Sequence, residues 1–256
     1  MTINKQIKKL NKFNIPNNAI NIYGNHPAKS ALLNSNRNCY LLCTTEKKFD
    51  YWNDFIISNE VNIKIVLLET FELNDISNSN NHQGIVVFAS KIIKKKLSEY
   101  LKKLSSKETK ILILDQLTDP QNVGSIIRSA FAFNFDAVCL LKNNTPIETS
   151  SLIKASAGDI DKIQILEIGN LVQEINILKK QNFFIYGLDG EGKIKIQEID
   201  KTDNRIALII GAEGKGLRNL TKQNVDGLVK ININPKCNSL NAANAASVAM
   251  YEISKN

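Results

Sequence analysis

The chain has 256 residues, 43% hydrophobic and 23% charged, with a formal net charge of +8, enough apolar material for one large domain or two ordinary ones. No apolar run approaches the roughly 20 residues of a membrane span, and Met1-Thr-Ile-Asn-Lys-Gln-Ile-Lys-Lys9 lacks the apolar centre of a signal peptide, so a cytoplasmic protein with no membrane partner is expected. The excess of cations points to a polyanionic partner such as nucleic acid.

In chain order, residues 1–18 are polar and Asn/Lys-rich and are expected to be a disordered tail. Ile22-Tyr-Gly-Asn-His-Pro-Ala-Lys-Ser-Ala-Leu-Leu33 reads as a short extended piece, a turn and a helix with Pro27 in its first turn. A strand at Asn38–Thr44, a helix at Glu46–Ser58, a strand at Ile63–Leu68 and another after the turn His82-Gln-Gly84 complete a small α/β domain over 19–90. Residues 91–109 are rich in lysine and read as a basic linker, either simply solvated or touching an RNA backbone.

From residue 110 to 256 the alternation restarts. Strands are predicted at 111–114, 136–141, 163–168, 183–188, 206–210 and 228–233, and helices at 122–133, 149–156, 170–181, 216–224 and 239–253. Continuous apolar strands alternating with helices imply a mostly parallel sheet covered on both faces, whose ligands bind beyond the carboxyl ends of the strands.

Three segments of this second region carry chemistry. Ile206-Ala-Leu-Ile-Ile-Gly-Ala-Glu-Gly-Lys-Gly-Leu-Arg218 is a buried strand breaking into a glycine loop. Gly211 and Gly216 have phosphate-loop spacing, but Leu217 stands where Lys-Ser/Thr is needed, and Asn219 spoils the dinucleotide fingerprint. In Asp115-Gln-Leu-Thr-Asp-Pro-Gln-Asn-Val-Gly-Ser-Ile-Ile-Arg128, Asp119-Pro120 suits a helix start. Asn122 and Arg128 would meet only if Asn122 precedes the helix. Arg128, in an apolar stretch, must pair (with Asp115 or Asp119) or face a cleft. Finally, Ser239-Leu-Asn241 opens a helix of Ala, Asn and Ser that Ser239 or Asn238 could cap, and whose N-terminus offers free N–H groups to a ligand.

Other chemistries are absent from the pattern. Cys39, Cys43, Cys139 and Cys237 form no CxxC pair and only His26 and His82 could join them, so no metal is expected and the thiols read as buried and reduced. Neither histidine lies near the three segments, so the reaction must be mild in its proton transfers or depend on a reactive cofactor.

Together the segments resemble the motifs of the SpoU (TrmH-type) branch of the SPOUT RNA 2′-O-ribose methyltransferases: Asp119–Arg128 as motif 1, Ile209–Leu217 as motif 2, and Ser239-Leu-Asn241 with its Ala-rich helix as motif 3. Tyr23-Gly-Asn-His26 and His82-Gln-Gly84 resemble the ribosomal-protein-like, RNA-binding accessory domain of the rRNA guanosine 2′-O-methyltransferases within it. The resemblance implies a homodimer, a C-terminal trefoil knot holding S-adenosylmethionine, and methylation of a large-subunit rRNA guanosine; a tRNA substrate, or a non-catalytic RNA-binding protein on the same scaffold, are the alternatives. Carried over by motif position, Gly211, Ala212, Gly216, Ile231 and Leu240 would hold the cofactor. Asn122, Glu213, Ser239 and Asn241 would shape the site, and Arg128 would stabilise the forming alkoxide, with Asn122 and Arg128 able to act across the dimer. Ala243 and Asn244 depart from the Ser and aliphatic residue usual in motif 3.

Overall fold

The computed structural model describes residues 10, 12–142, 148–199 and 204–255. It divides into two compact units, Met1–Ile93 with Glu148–Lys162, and Lys94–Ile147 with Ile163–Asn256.

The first unit runs β1 (Ile20–Tyr23), α1 (Asn25–Leu33), β2 (Cys39–Thr44), α2 (Glu46–Ser58), β3 (Ile65–Leu67), α3 (Thr70–Ser77) and β4 (Ile85–Ala89). Its four-stranded sheet has the order β1-β4-β2-β3, antiparallel except for the β2–β3 pair. The expected disordered tail needs correcting. Residues 1–9 and 11 lie outside the described residues, but Leu10 and Ile15 are buried with Leu41, Leu73 and Phe88, because two apolar residues here complete one face of a small sheet. Helix α3 escapes a sequence reading; a capping box between Glu69 and Glu72 starts it.

The second unit begins inside the stretch expected to be a linker. Its elements are β5 (Lys95–Lys96), α4 (Leu97–Lys102), β6 (Thr109–Leu114), α5 (Pro120–Ala132), β7 (Ala137–Leu141), then, after α6 (Ser150–Ala155) of the first unit, β8 (Gln164–Ile168), α7 (Leu171–Lys180), β9 (Phe184–Leu188), β10 (Ile194–Lys195), β11 (Arg205–Ile210), α8 (Asn219–Asn224), β12 (Gly227–Lys230) and α9 (Ala242–Ser254). The sheet order is β10-β12-β9-β11-β6-β7-β8-β5, and every neighbouring pair is parallel. The class is α/β with a parallel sheet, as the alternation implied. Ile111, Ile113, Ala207 and Ile209 are buried with Leu166, Ile175 and Ile185, which is why these strands carry unbroken apolar runs.

Two boundaries differ from the sequence reading for packing reasons. Residues 91–109 are not a linker: β5 extends the parallel sheet beside β8, and Leu97 and Leu101, one helical turn apart, sit in the core while the lysines stay outside. The predicted helix at 149–156 forms as α6, but residues 148–162 fold with the first unit. There Arg37, with a fully buried side chain, lies 2.5 Å from the Glu148 carboxylate and 2.6 Å from that of Asp161, and also donates to the Ser90 carbonyl. No helix among the described residues is long and apolar enough to cross a membrane.

Candidate active site

The site lies at the carboxyl ends of β6, β9, β11 and β12. Strand register sets Leu114 and Leu188 on either side of Ile210, and Val229 beside Leu188. The loops that follow therefore emerge next to one another, about 4.8 Å apart per strand.

After β11 the chain doubles back at once. Ala212 and Gly216 form a bridge, with N–H to O distances of 3.2 and 2.9 Å. A Cβ on Gly211 would lie 2.3 Å from the Gly216 carbonyl carbon, and Gly216 itself has φ +63°. Only glycine permits that approach, and glycine takes that angle without strain. Arg218 then lies 2.8 Å from the buried Asp115 at the end of β6, and Thr221 donates to the same carboxylate at 3.3 Å, so the loop is fastened beside the motif 1 strand. Asp115 is thus the partner of Arg218, not of Arg128. Asp119 is also occupied: it caps α5 by accepting from the N–H groups of Gln121 and Asn122.

Three side chains from distant motifs converge. Asn122, in the first turn of α5, donates through Nδ2 to Glu213 Oε1. Asn241 donates through Nδ2 to Asn122 Oδ1 at 3.2 Å and to Glu213 Oε1 at 3.4 Å. Its orientation has a cause. Asn241, and not Ser239 or Asn238, is the N-cap of α9, with Oδ1 accepting from Ala243 and Asn244 N–H, which turns the amide nitrogen toward the carboxylate. The helix starts at Ala242 instead of 239, and β12 stops at Lys230 instead of 233. Asn234 turns the chain through bonds to Lys236 and Cys237, so Ile231-Asn-Ile-Asn234 alternates like a strand without pairing as one.

Arg128 is not brought to this cluster. Asn122 lies within α5, not before it, so six residues leave the two side chains about 120° apart around the helix, and Arg128 is exposed. Neither Asp115 nor Asp119 pairs with it.

A cleft of about 720 Å³ opens beside the three side chains. Gly211, Ala212, Gly216, Ile231 and Leu240 all line it, as do Glu213, Ser239 and Asn241. The sequence reading missed Asp189, Glu191 and Lys222 on the same wall. Lys222 Nζ lies 2.7 Å from Asp189 Oδ2, and that hydrogen bond holds the ammonium above its usual pKa. A signal existed in Leu188-Asp-Gly-Glu-Gly192, a second strand-to-glycine break of the same kind as the motif 2 loop. Cys39 and Cys43 take no part in acid–base work: burial pushes them up to about 11 and about 12. Cys237 is exposed, unlike the buried thiol expected. No cluster of His, Cys, Asp and Glu among the described residues could hold a metal ion.

Residues 109–251 match the model of the SpoU rRNA Methylase family. A Coxiella burnetii protein named 23S rRNA (guanosine-2′-O-)-methyltransferase RlmB is 33% identical over 238 residues, 91% of this chain and 94% of that one. A putative TrmH family tRNA/rRNA methyltransferase of Staphylococcus saprophyticus is 31% identical over 235 residues, again 91% of this chain and 94% of its own. Among solved structures, the SpoU methyltransferase AviRb from Streptomyces viridochromogenes in complex with AdoMet has a TM-score of 0.77 at 20% identity, covering 93% of this chain and 89% of that one. An AdoMet-bound rRNA methyltransferase from Sinorhizobium meliloti has a TM-score of 0.75 at 19% identity, covering 92% and 87%. With its three motif side chains gathered at one cleft, and matching both a family model and full-length relatives, the chain belongs to the SpoU rRNA methylase family.

Proposed function

We propose that the protein methylates the ribose 2′-hydroxyl of a guanosine in large-subunit (23S) rRNA, using S-adenosylmethionine in the cytoplasm. The observation that carries this reading is the meeting of Asn122, Glu213 and Asn241, from three motifs, at the edge of the cleft. The substrate follows the RlmB relative, matched along nearly its whole length.

The cleft suits the cofactor. Its volume lies in the range of roughly 300–1,000 Å³ that takes a small ligand. Leu240, 38% exposed, and Ile231 give it apolar surface for a base, while the Gly211–Gly216 backbone gives it polar edges. When bound, S-adenosylmethionine supplies an electrophilic methyl on a sulfonium. Gly211, Ala212, Gly216, Ile231 and Leu240 would hold it. Glu213 fixes the amides of Asn122 and Asn241, and these with Ser239 position the ribose. Arg128 stabilises the alkoxide as its proton leaves, since an arginine is effectively always protonated and acts here by charge.

Arg128 reaches a site, on this reading, in a homodimer. Phe131, Val248 and Tyr251 are exposed on α5 and α9, which are joined by a Ser129–Ser247 bond of 2.7 Å. A second copy covering them would carry its arginine across. The reading includes a trefoil knot at the C-terminus, supported by β12 pairing with β9 and β10 after the chain has passed β11, and RNA binding by the first unit as an accessory domain. Ribose-methyl mapping of rRNA and tRNA from cells with and without the gene tests the proposal. Loss of one 23S ribose methyl is expected; an unchanged rRNA pattern with a lost tRNA methyl would replace the substrate.

A further inference from the structure

The mechanism leaves one group on the cleft wall unused. Asp189 is the first residue after β9, where Leu188 stands between Ile210 and Val229. Its N–H donates to the Val229 carbonyl at 2.9 Å. Its side chain is only 7% exposed, with Oδ2 2.7 Å from Lys222 Nζ and Oδ1 accepting from Glu191 N–H at 2.9 Å. Glu191 lies 3.9 Å from the same ammonium.

Two carboxylates facing one ammonium leave this wall with an excess negative charge. It repels a carboxylate or phosphate and attracts hydrogen-bond donors. Among the described residues each Asp189 oxygen has one close partner and a second lone pair, so acceptor capacity remains. The acceptor cluster of Asn122 and Glu213 stands over β6 and β11, and Asp189 stands over β9, one strand further along the cleft. The methyl-bearing sulfur must face the cluster. On the nucleoside side the next group along the donor is the ribose, a pair of hydroxyls. On the other side is a zwitterionic amino-acid tail, whose carboxylate this wall would repel and whose ammonium would meet a wall already holding the Lys222 ammonium against Asp189.

We propose that Asp189, positioned by Lys222, accepts hydrogen bonds from the vicinal ribose hydroxyls of the methyl donor, and so selects a ribonucleoside at this end of the cleft. The inference rests on the proposed function, since it presumes that the cleft takes this cofactor.

Calorimetric titration of the full chain with S-adenosylhomocysteine and with its 2′-deoxy and 3′-deoxy forms tests it. The wild type should bind the parent about tenfold tighter than at least one deoxy form. Asp189→Asn, which keeps the shape, should lose about tenfold on the parent and almost nothing further on that deoxy form. Loss of equal size on all three ligands means that Asp189 only braces the loop, and overturns the proposal. So does unchanged parent binding by the variant. Should Asp189→Asn fail to fold, a wild type indifferent to both deoxy forms overturns it alone. A wild type that binds none of the three overturns the cofactor reading as well, and is recognised by that pattern.

Discussion

Two polar clusters, one in each unit, use similar groups for opposite ends. Around Arg37 the guanidinium is fully buried, with side chains of Glu148 and Asp161 that are 4% and 0% exposed. Asn34 and the Ile92 N–H add further donors to the two carboxylates. Around Glu213 the carboxylate is exposed and shared by two neutral amides. Charges taken out of water must be paired or they destabilise the fold, so the first cluster has no freedom left and serves to hold residues 148–162 to the N-terminal sheet. The second stays exposed, holds two amides in place, and leaves Glu213 and Asn241 on the wall of a cleft. Burial decides which cluster is architecture and which can do chemistry.

The sharpest way to break that contrast is at Arg37. Arg37→Ala leaves two buried carboxylates against no cation and is expected to cost about 3–5 kcal/mol, read as a lower urea midpoint. Arg37→Lys should restore little, because one ammonium cannot reproduce the forked contacts. A loss below about 1 kcal/mol would show that the cluster is not the clasp described.

The exposed side of the contrast should respond in activity and not in stability. Arg128→Ala is expected to lower methyl transfer by about 10²–10³-fold with the unfolding midpoint unchanged. Mixing Arg128→Ala with Asn122→Ala subunits, each inactive alone, should restore partial activity if the arginine acts across a dimer. No restoration means that it acts within its own chain.

Asn241 separates the two roles inside one residue. Asn241→Ala loses a helix cap worth about 1 kcal/mol together with activity. Asn241→Asp keeps the capping oxygen but sets a second carboxylate against Glu213, so activity should drop by at least about tenfold while stability holds. Equal stability losses in the two variants would refute the capping geometry.

The smallest expected effect is a pH response in the first unit. His82 accepts the Gly84 N–H at Nδ1, and burial, with Lys154 nearby, lowers its pKa below the ordinary 6.5. A depressed folded-state value means that the neutral ring stabilises the fold above pH 6.5, and that this contribution is lost as pH falls through that range toward the folded value. Thermal melts should therefore show a decline on acidification below 6.5 that is absent in His82→Asn; the same slope in the variant would assign it to other groups.

Much of this was legible in the chain. Buried strands announce themselves as apolar runs, and Ile111–Leu114 and Ile206–Ile210 are parallel-sheet strands because both faces are covered. Asp119-Pro120 started a helix as its chemistry dictates, and Gly211 and Gly216 mark a loop that tolerates no side chain at the first and a positive φ at the second. These are local properties, set by backbone angle and solvent on each side of a strand. What only the tertiary structure decided is long-range. Lysines 95 and 96 lie on a sheet edge instead of in a linker because Leu97 and Leu101 find a core behind them. Residues 148–162 join the N-terminal unit because Arg37 needs their carboxylates. Asn122 meets Glu213 and Asn241 across 91 and 119 residues, while Arg128, six positions along the same helix, points elsewhere. Spacing along a chain fixes faces of a helix, but which loops stand side by side follows from strand order, and a sequence carries no direct record of that.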